Sequence, residues 1–397
     1  MSNVPPVETP ADEKPHRDAE ALRNEKETAD SKQRLVKLVV GLVGLLVALA
    51  IIGTTFQALA LYVDTIPRIL QGLIAVVAGV LGAAILFYFL NMAVEGLPRR
   101  ASEAVIPFAF LLPALLLLGV MLIFPTVQTI HYSFADADSE SYVGFQNYVD
   151  VFGDPAFRSS IFNNLLWLVI VPAMTVVIGL VVAVLADRLS TNGEKVSKAF
   201  IFVPLAISFV GAAAIWNFIY AYNPPGDNQI GLLNALWVGL GDLIGAGLRP
   251  VAWLSVSTLS FNDLLLMAIV IWMQGGFAMI LLSSAIKSVP QETIEAARID
   301  GANEWQLFSR VVIPQIRGTM ITVFITVLVL VLKIFDIIYV TTNGRADTNV
   351  IANLFFQEIF RTGDNGVASA IVVILLISVT PVLIYQVRHF RREEANR

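Results

Sequence analysis

The chain has 397 residues, 56% of them hydrophobic and 14% charged, with a formal net charge of −5. That excess of apolar over charged residues points to a polytopic membrane protein and away from a soluble fold. The absence of cysteine excludes disulfides, thiolate metal sites and cysteine nucleophiles. His16, His131 and His389 fall on different predicted segments, which argues against a histidine metal cluster.

Residues 1–34 carry both signs of charge and little apolar surface. They read as a solvated cytoplasmic tail with some helical tendency. They do not read as a signal peptide, because the apolar run starts late and the leader is not simply basic. Apolar runs then recur near 36–58, 66–91, 105–130, 161–186, 198–221, 263–286, 319–341 and 367–388. Each approaches or exceeds the roughly 20 residues that span a bilayer as helix. The expected fold is therefore an all-α polytopic membrane protein of about eight transmembrane helices. The first two runs, within 35–95, are joined by a short link around Pro67, which also fits a re-entrant hairpin.

Basic residues are unevenly shared between the loops. Arg99, Arg100, Arg188, Lys195, Lys198, Lys287, Arg298, Arg310 and Arg317 lie on one side, with Arg388, Arg391 and Arg392 in or next to the short tail 389–397. The opposite loops carry Arg68, Arg158, Arg249, Arg345 and Arg361. The first side is expected to be cytoplasmic, with both termini inside the cell membrane. Three loops then face outward. Residues 131–160 mix acids with Tyr142, Phe145 and Tyr148; 222–262 is too long for a bare turn and predicts a short surface helix; 342–366 begins with TNGRADTN. They are either solvated connectors or landing surfaces for an extracytoplasmic partner.

One cytoplasmic loop has ordered content. Glu295–Arg317 reads EAARIDGANEWQLFSRVVIPQIR between two membrane-length runs. Ala296 and Ala297 let another surface approach the backbone, and Gly301 tolerates angles that could join two short helices. Trp305, Phe308, Val311 and Val312 repeat at helical spacing, and Pro314 marks the exit of the second helix. Physics alone gives a helix–turn–helix on the membrane surface, shaped to dock a partner.

These residues resemble the EAA loop of ABC importer permeases: E-A-A, three residues, G, nine residues, then an apolar-x-apolar-P ending. Glu295, Ala296, Ala297, Gly301 and Pro314 meet that pattern, and Asp300 and Ala302 fit its D-G-A core. Residues 105–388 are similar to the six-helix core of a carbohydrate-type permease, and the two helices in front resemble the larger permease of maltose-type systems. Phe335–Gly344, reading FDIIYVTTNG, fits the segment after the loop, and the TNVIANLFF run leans toward the α-glucoside subgroup. The maltose-type relative carries a large insert after its third helix, where this chain has only residues 131–160.

The resemblance implies a permease whose loop, residues 288–317, sits in a groove of an ATP-binding cassette ATPase dimer. It also implies a second permease subunit, an extracytoplasmic solute-binding protein and a sugar substrate, with no nucleic acid. The chain has no GxxxxGK[ST] phosphate loop. It is expected to bind no cofactor and to have no enzymatic activity of its own, ATP and Mg being used by the partner. A sugar path needs hydrogen-bonding groups and stacking rings inside the bundle. The candidates are Asn163, Trp167, Asn217, Tyr220, Trp272, Gln274, Phe335, Asp336 and Tyr339. Such residues also act as glue between helices or as an interfacial belt. Lys333 and Asp336, three apart, fit an ion pair on one helix face. An ion-coupled secondary transporter is the alternative, but it would leave the docking loop unexplained. A membrane scaffold is a third reading, which co-isolation of an ATPase would exclude.

The orientation is testable with reporters. One fused after Arg397 or inserted near Asn303 should read as cytoplasmic. One near Asp138 or Gly344 should read as external, and a cytoplasmic signal at Asp138 would overturn the eight-helix arrangement.

Overall fold

The computed structural model describes residues 13–63 and 65–395. The chain is an all-α membrane protein that divides into two compact units, Met1–Pro125 and Thr126–Arg397. Among the described residues, seven helices are long and apolar enough to cross a membrane, and a bent helix pair makes a further candidate.

The first unit opens with helix α1, Glu13–Leu61. The charged stretch expected as a solvated tail is therefore helical from Glu13 and runs unbroken into the first span. Its Ala, Glu, Lys and Arg content favours helix, and Pro15 lies in the first turn, where it is tolerated. Residues 1–12 lie outside the described residues. Helix α2, Arg68–Glu95, packs back along α1. Both helices are long enough to span, so the pair is a hairpin of full spans. The approach is close: a side chain on Gly41 would meet the Ala93 backbone nitrogen at 2.4 Å. Lys37 and Glu95 pair across it at 2.9 Å. Helix α3, Arg99–Leu118, passes through a π turn at Gly119–Ile123 into α4, Phe124–Tyr132. The six-helix core expected from 105 onward is thus divided: most of its first helix, through Pro125, belongs to the first unit.

The second unit is a bundle around α6, Pro155–Asp187, and α10, Phe261–Lys287, which pack along each other. Trp167, Leu266, Met267, Ile269, Met279 and Leu282 are sealed at that seam. Helix α13, Ile313–Leu332, packs against both, and α16, Asn365–Ala395, closes the chain. The short α5, Gln146–Gly153, lies in the loop before α6 and packs against α16.

Two expected spans are broken. The run 198–221 is two helices, α7 (Thr191–Phe202, extended by a 3-10 turn to Ala206) and α8 (Phe209–Ile219), bent by 104°. Pro204 falls in the 3-10 turn, Ile207 is extended, and Ser208 caps α8 by accepting from the Gly211 N–H at 3.1 Å. These residues turn the chain where hydropathy alone sees a continuous segment. The run 319–341 stops at Leu332 and restarts as α14, Asp336–Thr341. Lys333 and Asp336 therefore do not share one helix face, and they form no ion pair among the described residues. The long 222–262 loop does contain a short helix, α9, Leu232–Leu243.

Gly41→Val should open the α1–α2 hairpin, because overpacking at a backbone contact costs roughly 1–3 kcal/mol. The measurement is a bis-maleimide cross-link between cysteines placed at 37 and 95, where the native side chains pair at 2.9 Å; it is expected to form with Gly41 in place and to fade in the variant.

Candidate functional site

The exposed turn after α10 is built from two interlocking caps. Helix α11, Gln291–Ile299, has no buried residue, so Glu295, Ala296 and Arg298 all face out. It ends in a Schellman turn: the Ala302 N–H donates to the Ala297 carbonyl at 3.0 Å and the Gly301 N–H to the Arg298 carbonyl at 3.1 Å. That geometry puts Gly301 at φ +82°, which side-chain-bearing residues adopt at a cost. Nothing lies within 4 Å of where its Cβ would be, so the constraint on glycine within this chain is the backbone angle. Asn303 then caps the next helix. Its side chain accepts from the Gln306 N–H at 2.8 Å, while Gln306 accepts from the Asn303 N–H at 3.0 Å. Arg298 and Glu304 pair across the turn at 3.1 Å.

The second half of the loop differs from expectation. Helix α12, Glu304–Leu307, passes through a π turn at Phe308–Val312 directly into α13, so Pro314 does not end a helix. A π turn frees backbone acceptors and adds a residue, which accommodates a proline that cannot donate. The extra residue also shifts the helical phase. Leu307, Val312 and Ile316 are buried, whereas Trp305 is 74% exposed beside Ile299 at 85%. Trp305 is thus exposed, yet it lines one cavity with Phe308 and Val312, as the expected stripe has it.

Behind this turn sits an ionic cluster that joins three elements. The Lys198 ammonium of α7 donates to Asp187 at the end of α6, at 2.8 Å, to Glu194 at 2.6 Å, and to Ser283 of α10. Ser283 donates on to Asp187 at 2.7 Å, and Lys287, the last residue of α10, pairs with Glu194. The cluster locks the end of α10 three residues before α11 begins.

At the opposite end, the expected path residues divide into two groups. Asn163 is buried and donates to the carbonyls of Asp347 and Asn349, at 2.5 and 2.8 Å. Asn217 donates to the Val340 carbonyl at 3.3 Å, and Tyr220, also buried, to that of Leu265 at 2.9 Å. Trp167 is fully buried and Gln274 nearly so. These side chains lie between helices. The rings behave differently. Phe335 stacks on Tyr339 at 5.1 Å, and both meet Phe356 of α15 (Ile351–Gln357), which in turn meets Phe360 at 4.5 Å. Tyr339 and Phe360 are exposed, and Asp336 is half-buried at the start of α14. Trp272 meets Trp216, which meets Tyr220, in a second ring cluster on α8 and α10. Helix α8 packs on α14, which links the two clusters through one helix pair. On residues 131–160, Asp136 accepts from the Ser141 and Glu140 N–H groups, which hold its carboxyl below the usual range.

Residues 175–393 match the family described as the binding-protein-dependent transport system inner membrane component. The chain belongs to that family. It is 44% identical over 341 residues to the alpha-glucoside transport system permease protein AglF of Rhizobium meliloti, covering 82% of this chain and 98% of that protein. It is 47% identical over 285 residues to the osmoprotective compounds uptake permease protein GgtC of Synechocystis, covering 72% and 99%. These relatives place the permease in the carbohydrate-type branch of ABC importers. In fold it is similar to a bacterial ABC transporter that imports the acidic polysaccharide alginate, with a TM-score of 0.61 at 20% identity over 74% of this chain and 99% of that one.

Sequence reasoning missed Phe356, Phe360 and Trp216, and it missed the ionic cluster. The FF pair in TNVIANLFF was on view, but nothing local tells which ring meets Tyr339. Lys198 and Glu194, four apart in a basic loop, were the readable hint of the cluster.

Lys198→Met removes the more buried of the two lysines that Asp187 and Glu194 share and leaves them only Lys287. The permease should lose stability, read as a lowered Tm in detergent. Lys287, half-exposed at 52%, should cost below about 1 kcal/mol when changed to Met. An equal loss in both variants would contradict this ranking.

Proposed function

We propose that the chain is the membrane-spanning permease subunit of an ATP-driven carbohydrate importer. It forms half of the pathway for a sugar, most simply an oligosaccharide such as an α-glucoside, delivered by an extracytoplasmic solute-binding protein. The observation that carries this reading is the capped turn after α10. It presents Glu295, Ala296, Ile299 and Trp305 outward on rigid helices, with nothing among the described residues to cover them. An ATPase dimer is the natural occupant, and a second permease supplies the other half of the bundle. The turn then faces the cytoplasm, as do both termini. ATP and Mg are used by the partner, and this chain binds no cofactor. The name of AglF supports an α-glucoside, and the alginate importer solved with a pentasaccharide-bound periplasmic protein supports a saccharide brought by a binding protein.

In this reading, closure of the ATPase pair moves α11 as a rigid piece and shifts the bundle between two discrete states. The sugar is met by the rings of Phe335, Tyr339 and Phe356, because sugars stack on aromatic faces. A panel of sugars offered to the cognate binding protein identifies the substrate.

Gly301→Asp or Gly301→Pro should abolish uptake while leaving every span inserted. The φ of +82° makes a side chain there cost roughly 1–3 kcal/mol in the turn, and the added atoms enter the docking face. Uptake and binding-protein-stimulated ATP hydrolysis should fall together, or the ATPase should be lost on purification. Parental levels of both in an intact complex would remove the coupling role. Glu295→Ala should be milder, at most about 1.5–3 kcal/mol for one charge-assisted bond.

Tyr339→Ala and Phe335→Ala should each weaken uptake while the complex stays assembled. Unchanged uptake kinetics in both variants would move the sugar contact to the Trp216–Trp272 cluster.

A further inference from the structure

Helix α9 is held to the bundle by one face and leaves the other bare. Asn234, fully buried, donates to the carbonyls of Ala221 and Val251 at 3.0 and 2.9 Å, and accepts from the Val251 N–H at 2.9 Å. Those bonds tie the helix to the chain leaving α8 and to the chain approaching α10. Leu232, Leu236, Leu240 and Leu243 recur at four, four and three residues, and so lie within one narrow stripe. All four are more than half exposed or at its edge, from 50% at Leu240 to 84% at Leu243. The only ionisable residue in the helix is Asp242, which falls outside the stripe.

The surroundings say what covers this stripe. Trp237 of α9 meets Trp253 at 5.9 Å, and Trp253 meets Phe261 at 6.3 Å. Phe261 is the first residue of α10, in the segment where that span enters the membrane. The Trp237 indole donates to the Arg249 carbonyl at 3.2 Å. Rings with an apolar body and one polar contact, at the mouth of a span, mark the headgroup level of a bilayer. The leucine stripe is thus continuous, through this ring chain, with the membrane boundary of α10.

We propose that α9 lies in the lipid–water boundary at the end of the protein opposite the Gly301 turn, with its leucine stripe in the acyl chains. A helix with one wholly aliphatic face, with Asn234 turned to the protein and Asp242 exposed off the stripe, fits that interface. At 1.5 Å per residue it reaches about 18 Å along the surface. It anchors the long 222–262 loop on the membrane, so that the loop does not project into the space above it. The proposal rests on neither the sugar nor the ATPase.

The cysteine-free chain makes the test direct. Single cysteines at Leu236, Leu240 and Asp242 are spin-labelled in the full chain, reconstituted with its subunits in phospholipid vesicles without sugar or ATP. Collision with oxygen, which concentrates among acyl chains, is compared with collision with nickel ethylenediaminediacetate, which stays in water. Labels at 236 and 240 should favour oxygen, and the label at 242 should favour nickel, reversing the sign of the depth parameter. Adding the binding protein should leave these values unchanged. Nickel access at 236 and 240 equal to that at 242 would overturn the proposal. So would exclusion of both reagents, the mark of a protein interface. So would shielding that appears only with the binding protein, which would make the stripe its docking surface.

Discussion

Backbone groups inside or beside a membrane must find partners within the protein, because hydrocarbon offers none. Continuous helices meet that demand by themselves, and every break in a helix reopens it. In this permease buried asparagine amides carry much of the load. Asn163, Asn164 and Asn262 all bond to backbone between residues 346 and 351, Asn147 holds the chain at 133–135, and Asn234 holds it at 221 and 251. An asparagine suits the task because one short side chain offers both donor and acceptor.

The segment from Thr342 to Val350 depends most on these clamps. Asn343, Ala346 and Asp347 all have positive φ there, each a strained choice for a residue with a side chain. Contacts from α6 and α10 over-determine that backbone, and a hydrogen bond between Thr342 and Thr348 at 2.6 Å closes it on itself. The irregular segment follows directly on α14 and leads into α15, the two helices that bring Tyr339 and Phe356 together. The ring cluster therefore rests on the amide clamps, and Asn163 serves it by fixing backbone.

The Gly301 end works by a different economy. There the breaks face water, and local caps suffice: a Schellman turn, an asparagine capping box and one exposed ion pair. Rigidity at that end comes from the Lys198 cluster, which fastens α6, α7 and α10 together where the turn departs. A stiff turn on a stiff base can pass on a push without absorbing it. Continuity of Glu304–Leu332 through the π turn adds a lever, since the helix that leaves the turn is itself a span.

The sequence alone determined the all-helical membrane class, the approximate spans and the Glu295–Gly301 turn. Hydropathy over some twenty residues and a glycine three positions after E-A-A are local signals, and local signals survive without a fold. The helical run from Glu13 was half-legible for the same reason, in its propensity. Tertiary structure decided the rest. The bend at 207–208 and the stop at Leu332 fall inside runs that hydropathy reads as continuous, and Pro204, Ser208 and Lys333 are too few in those runs to mark the breaks beforehand. Whether an asparagine faces a pore or a carbonyl, and which phenylalanine meets Tyr339, depends on residues far along the chain, as with Asn163 and Asn349, 186 positions apart. No window along the sequence contains both partners, so only the folded chain could settle them.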